Sequence, residues 1–285
     1  MISGLEYNPI YQICAEENMN IIDKKIIRRL KLDKSLEKEL IYTLNTDYEK
    51  IEELCDVIFK NRNCLENESD IIRIAVIVGC LKITKEYYKR LNIGEDIFYD
   101  TMTDIRIWCE NNNNKGLQNY RWLTTHINAE IFKIGRLQFQ LYCCDDELLD
   151  YSRLPFEQGE NVIYIHIPQG ERLIYTDCIE SIAMAKRFFK LHFPDYKYKY
   201  FFCESWLLYQ NNSEFMQPDS NIIKFASLFD IAYSNYDDKQ AIERIFGKRK
   251  QNINDYPENT SLQIAAKKYL KNKNKLGMGI GTISI

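Results

Sequence analysis

His166 and Glu204 are the two side chains whose type and setting best suit proton transfer. His166 lies in the β-rich run NVIYIHI, Asn161 to Ile167, which is closed by Pro168. A proline lacks the N–H and the free φ that a strand needs, so the ladder must stop there and leave the imidazole at a strand end. Ligands of α/β sheets collect at the carboxyl ends of strands, and an imidazole titrates near neutral pH, so His166 could act as a general base. A strand-end histidine bonded to a backbone carbonyl is the other reading. In FCESWLL, Phe202 to Leu208, alternation puts Glu204 on one face with Phe202 and Trp206, and Cys203 and Ser205 on the other. A carboxylate between large hydrophobes has a raised pKa and suits a general base if it faces a cleft; on an exposed edge it is merely solvated.

Around these two residues are groups suited to binding. Arg136 and Gln138, two apart in IGRLQF, would project from one face of a strand and could hold a carboxylate or amide. Ser205 offers a hydroxyl, and Asn221 offers an amide beside Ser220, which reads as a helix cap. From Pro168 to Asp177, Gly170 permits close backbone approach and Arg172 adds a cation. A helix expected from Cys178, with Ser181 in its first turn, would complete a site for a pyrophosphate on free N–H groups. Glu171, Asp177 and Glu180 oppose an anion there, and an ordinary strand-to-helix connection fits the same residues. Cys203 reads as core packing, since no base accompanies it.

The elements that must position these groups follow from periodicity. Up to about Trp108 apolar residues recur at helical spacing, as in Ile51, Leu54, Cys55, Ile58 and Phe59, and Ile71 to Leu81 reads as a helix buried on most sides. The run NNNNKG, Asn111 to Gly116, favours turns and sets the expected boundary between a helical domain, 1–115, and a second domain, 116–285. Beyond it the spacing predicts strands over 131–141, 161–167 and 198–208, with a further strand around Gln240 to Phe246 and another in the terminal GIGTISI. Helices are expected over CIESIAMAKRFFKLHF, with Asp177 and Glu180 as a capping box, over SNIIKFASLF, and over SLQIAAKKYLKN behind the T-x-x-Q box of Thr260 and Gln263. The glycines at Gly277, Gly279 and Gly281 have no helix behind them, so they suit close packing of a last strand rather than a phosphate loop. The fold class is α/β (α+β).

Composition narrows the partners. Of the residues 45% are hydrophobic and 28% charged, enough for folded domains, and 38 Lys plus Arg against 41 Asp plus Glu leave a net charge of −3. A polyanion finds no basic field here, so nucleic acid and membrane surfaces are not expected partners. No apolar run approaches the roughly 20 residues of a bilayer span. The N-terminal MISGLEYNPIYQICAEE carries no export pattern, and the nine cysteines are scattered without metal-ligand spacing. A cytoplasmic protein with reduced cysteines and no metal site is the expectation.

Several stretches together carry a resemblance: IGRLQF, HIPQGERL from His166 to Leu173, FFKLHFP ending at Pro194, FCESWLL, SNIIKF, IFG at Ile245 to Gly247, and NTSLQ at Asn259 to Gln263. Over about Trp122 to Ile285 the sequence resembles the GNAT-like C-terminal domain of a group of bacterial acyltransferases, which follows a helical N-terminal domain. The resemblance implies a fold similar to N-acetyltransferases and transfer of an acyl group from acetyl-CoA or another acyl-CoA to an amine of a small molecule or peptide. On that footing His166 or Glu204 is the base. Ile165, Ile167, Gly170, Arg172 and Ser181 serve the cofactor, the strand backbone pairing with the pantetheine arm, and Arg136, Gln138, Ser205 and Asn221 contact the acceptor. The Arg-x-x-Gly-x-Gly/Ala loop that cradles the CoA pyrophosphate in typical members is missing after NVIYIHI, which keeps open a non-catalytic binding or interaction module. Acceptor and oligomeric state are not legible.

Overall fold

The computed structural model describes Ile10 and residues 21–285. The chain forms two compact units: Met1–Leu141 with Ile167–Glu171 and Arg187–Pro194, and Tyr142–His166 with Arg172–Lys186 and Asp195–Ile285. Six strands take the order β1-β2-β3-β4-β6-β5.

The first unit is helical before it turns to strand. Helices α1 (Lys24–Leu30), α2 (Lys34–Thr46) and α3 (Tyr48–Ile58) precede α4 (Asp70–Arg90), α5 (Glu95–Asn111) and α6 (Tyr120–Ile127). Asp23, Asp33 and Ser69 cap α1, α2 and α4 by accepting from backbone N–H groups of the first turn. Helix α4 is buried almost all round, with Ile74 to Leu81 inside, as the unbroken apolar run requires. The asparagine run lies at the end of α5, where Asn113 and Asn114 take φ values of 52° and 56°, a left-handed conformation that asparagine tolerates. The run therefore ends one helix, and α6 follows it, so the helical part extends twelve residues past the expected boundary at 115, to Ile127.

The expected single strand over 131–141 is instead a hairpin of β1 (Ile131–Ile134) and β2 (Leu137–Cys143), paired antiparallel from Ile131↔Gln140 to Ile134↔Leu137. Gly135 and Arg136 form its two-residue turn, with Gly135 at φ 64°. A β-hairpin turn of this length needs positive φ at a central residue, and glycine supplies it without steric cost.

In the second unit β3 (Asn161–His166) runs parallel to β4 (Tyr200–Ser205), which pairs antiparallel with β6 (Met278–Ser284), and β6 in turn with β5 (Asp230–Asn235). Between them come α7 (Tyr175–His192), α8 (Asn221–Ala226), α9 (Lys239–Phe246) and α10 (Ser261–Lys271). The expected strand at 240–246 is α9: Ala241, Ile242, Ile245 and Phe246 are buried at helical spacing, which outweighs their β propensity. Helix α7 starts at Tyr175, so Asp177 and Glu180 lie inside it and do not cap it. Helix α10 begins at Ser261 as the T-x-x-Q box requires, with Thr260 accepting from Gln263 N at 3.1 Å. One face of this unit's strands carries a core of Val162, Phe202, Tyr233 and Ile280, with Tyr142, Tyr164 and Tyr200 partly buried against it. Cys144, Leu149 and Phe156 from the loop after β2 complete that core. The loop closes on itself through Cys144 N to Glu160 O at 2.9 Å and Gly159 N to Cys144 O at 2.7 Å.

Candidate active site

His166 is the last residue of β3, and alternation puts it on the same face as Tyr164 and Val162. Glu204 sits one residue from the end of β4 on the face of Phe202 and pairs across to Ile280 of β6, itself level with Tyr233 of β5. Tyr164 pairs with Phe202, and alternation along each strand puts His166 and Glu204 on the side of the sheet that those two residues occupy. The imidazole and the carboxylate therefore share one sheet face, at the carboxyl ends of two parallel strands. The paired register of β3 with β4 covers Ile163↔Phe201 and Tyr164↔Phe202, and both strands run on beyond it.

The surroundings of Glu204 fix its chemistry. Burial, and then the like charges of Asp146 and Asp237, push its carboxyl above the ordinary range. Asp146 belongs to the loop closed at Cys144 and Glu160, and Asp237 follows β5, so both arrive through tertiary structure. His166 is half-buried and stacks on the Tyr164 ring, with centroids 4.2 Å apart and planes 20° from parallel. Cys203, fully buried on the other face, has its thiol pushed up by burial and is a core residue.

The cofactor candidates differ in setting. Ile165 is buried on the face of β3 opposite to His166, and Ile167 is half-buried beyond the strand end. Gly170 and Arg172 are exposed, Gly170 at φ 104° with nothing near the place a Cβ would take. Because α7 opens at Tyr175, its N-terminal amides are those of Tyr175, Thr176 and Asp177, and Ser181 lies almost two turns in. Ser181 is 0% exposed, in the stripe Cys178, Ser181, Ile182 and Ala185, so it does not belong to a solvent-facing anion site.

Three of the four acceptor candidates are structural. Arg136 is in the hairpin turn, 6% exposed, and its guanidinium donates to Pro168 O at 3.2 Å and Glu171 O at 2.8 Å. It holds the segment after His166 instead of presenting a polar patch. Lys133 pairs with Glu171 at 2.7 Å, and Asn111 and Gln169 exchange amide hydrogen bonds at 3.3 and 3.1 Å. Neither Lys133 nor Asn111 was a candidate for the site in the sequence, because they act on residues 38 and 58 positions away that only the fold brings near. Gln138 is 1% exposed and lies beside the Asp104 carboxylate. Ser205 is buried, accepts from Leu207 N at 3.2 Å and faces Gln240 Oε1 at 3.3 Å, so it caps the short 3-10 turn Trp206–Leu208. Asn221, the first residue of α8, is exposed, while Ser220 makes the cap through Ile223 N. Among the described residues no group of three or more His, Cys, Asp or Glu could hold a metal ion, and no helix is long and apolar enough to cross a membrane.

Residues 131–283 match the family described as the GNAT-like C-terminal domain, and residues 23–129 match the N-acyltransferase N-terminal domain. The first match alone spans more than half of the chain, so the protein belongs to that GNAT-like family, with an N-acyltransferase N-terminal domain ahead of it. Solved structures share the fold. One is an acyltransferase in complex with decanoyl-CoA and teicoplanin, 21% identical, with TM-score 0.75 over 92% of this chain and 87% of that chain. Another, an acyltransferase in complex with decanoyl-CoA, is 19% identical with TM-score 0.76 at the same coverage. A mutant acyltransferase in complex with octanoyl-CoA is 20% identical, again with TM-score 0.75 over 92% and 87%. No curated protein matches the chain.

Proposed function

We propose that this protein is an acyl-CoA-dependent N-acyltransferase that moves an acyl group to an amine of a small molecule or peptide. The observation that carries the reading is the common face of His166 and Glu204 at the carboxyl ends of the parallel strands β3 and β4. Beyond the paired stretch, the backbones of Ile165 and Ile167 would run beside a pantetheine arm, and the exposed backbone from Gly170 to Arg172 leads to the N–H groups opening α7, which suit a pyrophosphate. That route takes the place of the glycine-rich loop the sequence lacks. The acceptor arrives as an ammonium drawn by the Glu204 carboxylate, His166 takes its proton, and the free amine attacks the thioester carbonyl. The C–N bond forms as the C–S bond breaks, giving an amide and the CoA thiol. Asn221 remains a candidate acceptor contact.

Relatives of this fold that hold decanoyl- and octanoyl-CoA support a medium-chain acyl donor over acetyl-CoA. A reducing, cytoplasmic setting fits free cysteines at all eight described positions and a CoA thioester donor. Thermal unfolding with decanoyl-CoA, acetyl-CoA and ATP tests the donor, since a ligand of the folded state raises its stability by mass action, by about 2.7 kcal/mol at a hundred times Kd. A shift with acyl-CoA alone, followed by amide formation that His166→Ala reduces about 10²-fold or more, is the expected result. No shift with any CoA thioester would leave a GNAT-like binding module.

A further inference from the structure

Tyr164 has no part in the proton transfer just described, yet its ring lies stacked on that of His166. The two side chains are two residues apart on β3 and so share a face. Their centroids are 4.2 Å apart with planes 20° from parallel, a stacked arrangement. The tyrosine is itself fixed from two neighbouring strands. Phe202 of β4 meets it edge-on at 5.0 Å, and Tyr142 of β2 at 5.4 Å. Burial keeps its hydroxyl neutral.

We infer that Tyr164 is the positioning residue of His166: its ring face fixes the imidazole plane and favours the imidazolium formed when His166 takes a proton. The physical basis is the aromatic quadrupole, whose negative face attracts a cation lying over it, most strongly where water is excluded. The stack also restricts rotation of the imidazole, which helps to present the ring nitrogen in one direction. Charged and titratable groups near this face include Glu204 on β4, Cys144, Asp145, Asp146, Asp150 and Arg153 in and beyond the loop after β2, Asp237 after β5 and the tyrosines Tyr142 and Tyr233. The carboxylates favour the imidazolium too, but they stay constant when only residue 164 is changed. The catalytic meaning of the inference rests on the proposed acyl transfer; the contact itself does not.

The test therefore has two readouts. The chain has three histidines, so their ring Cε1–H signals are few, and His166→Asn assigns the one of interest. In the full-length protein that signal is expected upfield from the Tyr164 ring current, to stay there in Tyr164→Phe, and to move towards the free-imidazole position in Tyr164→Leu. The titration midpoint of His166 falls in Tyr164→Leu by up to about one pH unit. If Tyr164→Leu does not fold, pentafluorophenylalanine at 164 keeps the shape of the ring and reverses its quadrupole, so the midpoint falls while the ring-current shift persists. Unchanged shift and midpoint in Tyr164→Leu, or an unchanged midpoint with the fluorinated ring, overturn the inference. In the acyl-transfer assay Tyr164→Leu lowers kcat about tenfold with the KM for acyl-CoA unchanged, and Tyr164→Phe retains activity. A wild-type chain with no transferase activity would instead sink the proposed function, and the histidine spectra would still decide the role of Tyr164.

Discussion

At the scale of single residues, two carboxylates behave in opposite ways because their neighbours differ. Glu204 has burial and two like charges around it, so it holds a proton more tightly folded than unfolded. Its contribution favours folding below the ordinary carboxylate range and is lost as pH rises through the elevated value. Glu204→Gln should therefore be more stable than the wild type at pH 7 and equal to it near pH 4, measured by thermal unfolding at both, while acyl transfer falls. Asp104 is also buried, and that pushes its carboxyl up, but the hydrogen bond and charge of His126, with the nearby Gln138 amide and the Trp122 indole N–H, outweigh burial and leave it below the ordinary range. Its Oδ2 accepts from Trp122 Nε1 at 3.0 Å and lies 3.1 Å from His126 Nε2. This group stabilises the fold above its unfolded pKa, and the stabilisation is lost as pH falls through the folded value. Asp104→Ala removes the acceptor that the ring nitrogens of buried His126 and half-buried Trp122 face and is expected to cost about 3 kcal/mol at pH 7. Urea unfolding at pH 7 and near pH 3 checks both the size and the decline of that cost.

At the scale of elements, the β1–β2 hairpin does more than pair. Its turn residue Arg136 grips two carbonyls of the segment that leaves the His166 strand, and a planar fork does this better than an ammonium. Arg136→Lys should cost about 1–2 kcal/mol, and amide exchange at Gln169, Gly170 and Glu171 should quicken while exchange in β4 does not. Strand β6 shows why its glycines recur. A Cβ on Gly279 would lie 2.0 Å from Leu208 O, whereas on Gly281 it would meet the Phe229 Cβ at 3.1 Å. Gly279→Ala should thus destabilise by about 2 kcal/mol or more and Gly281→Ala by clearly less, compared by denaturant midpoints. Close packing was legible from the sequence because no helix follows these glycines. The hairpin was not, because Gly135 and Arg136 interrupt an apolar alternation that reads equally well as one strand, and only the register Ile134↔Leu137 decides between them. Helix α9 was misread for a different reason: three of its eight residues are β-branched or aromatic, and that β propensity hid the helical spacing of Ala241, Ile242, Ile245 and Phe246.

At the scale of the whole chain, ligand linkage is the property to measure, since an acyl-CoA that binds only the folded protein stabilises it whichever unit supplies the contacts. His166→Ala should leave the decanoyl-CoA shift within about 0.5 kcal/mol of wild type while abolishing most transfer, because that side chain is assigned to the proton and not to the donor. A lost shift would move His166 into the donor site. The sequence by itself determined the helical first part, strands within 161–167, 198–208 and the terminal GIGTISI, the last three residues of the second being a 3-10 turn, the caps at Ser220 and Thr260, and a strand-end histidine and a strand glutamate as the chemistry to look for. These are local matters: periodicity, proline stops and side-chain-to-backbone bonds act within a few residues. Only the tertiary structure decided that Arg136, Gln138, Ser181 and Ser205 are held inside, that Asp146 and Asp237 raise the Glu204 carboxyl, and that Tyr164 lies flat on His166. Burial and charge are set by neighbours distant in sequence, so the side chains alone cannot reveal them.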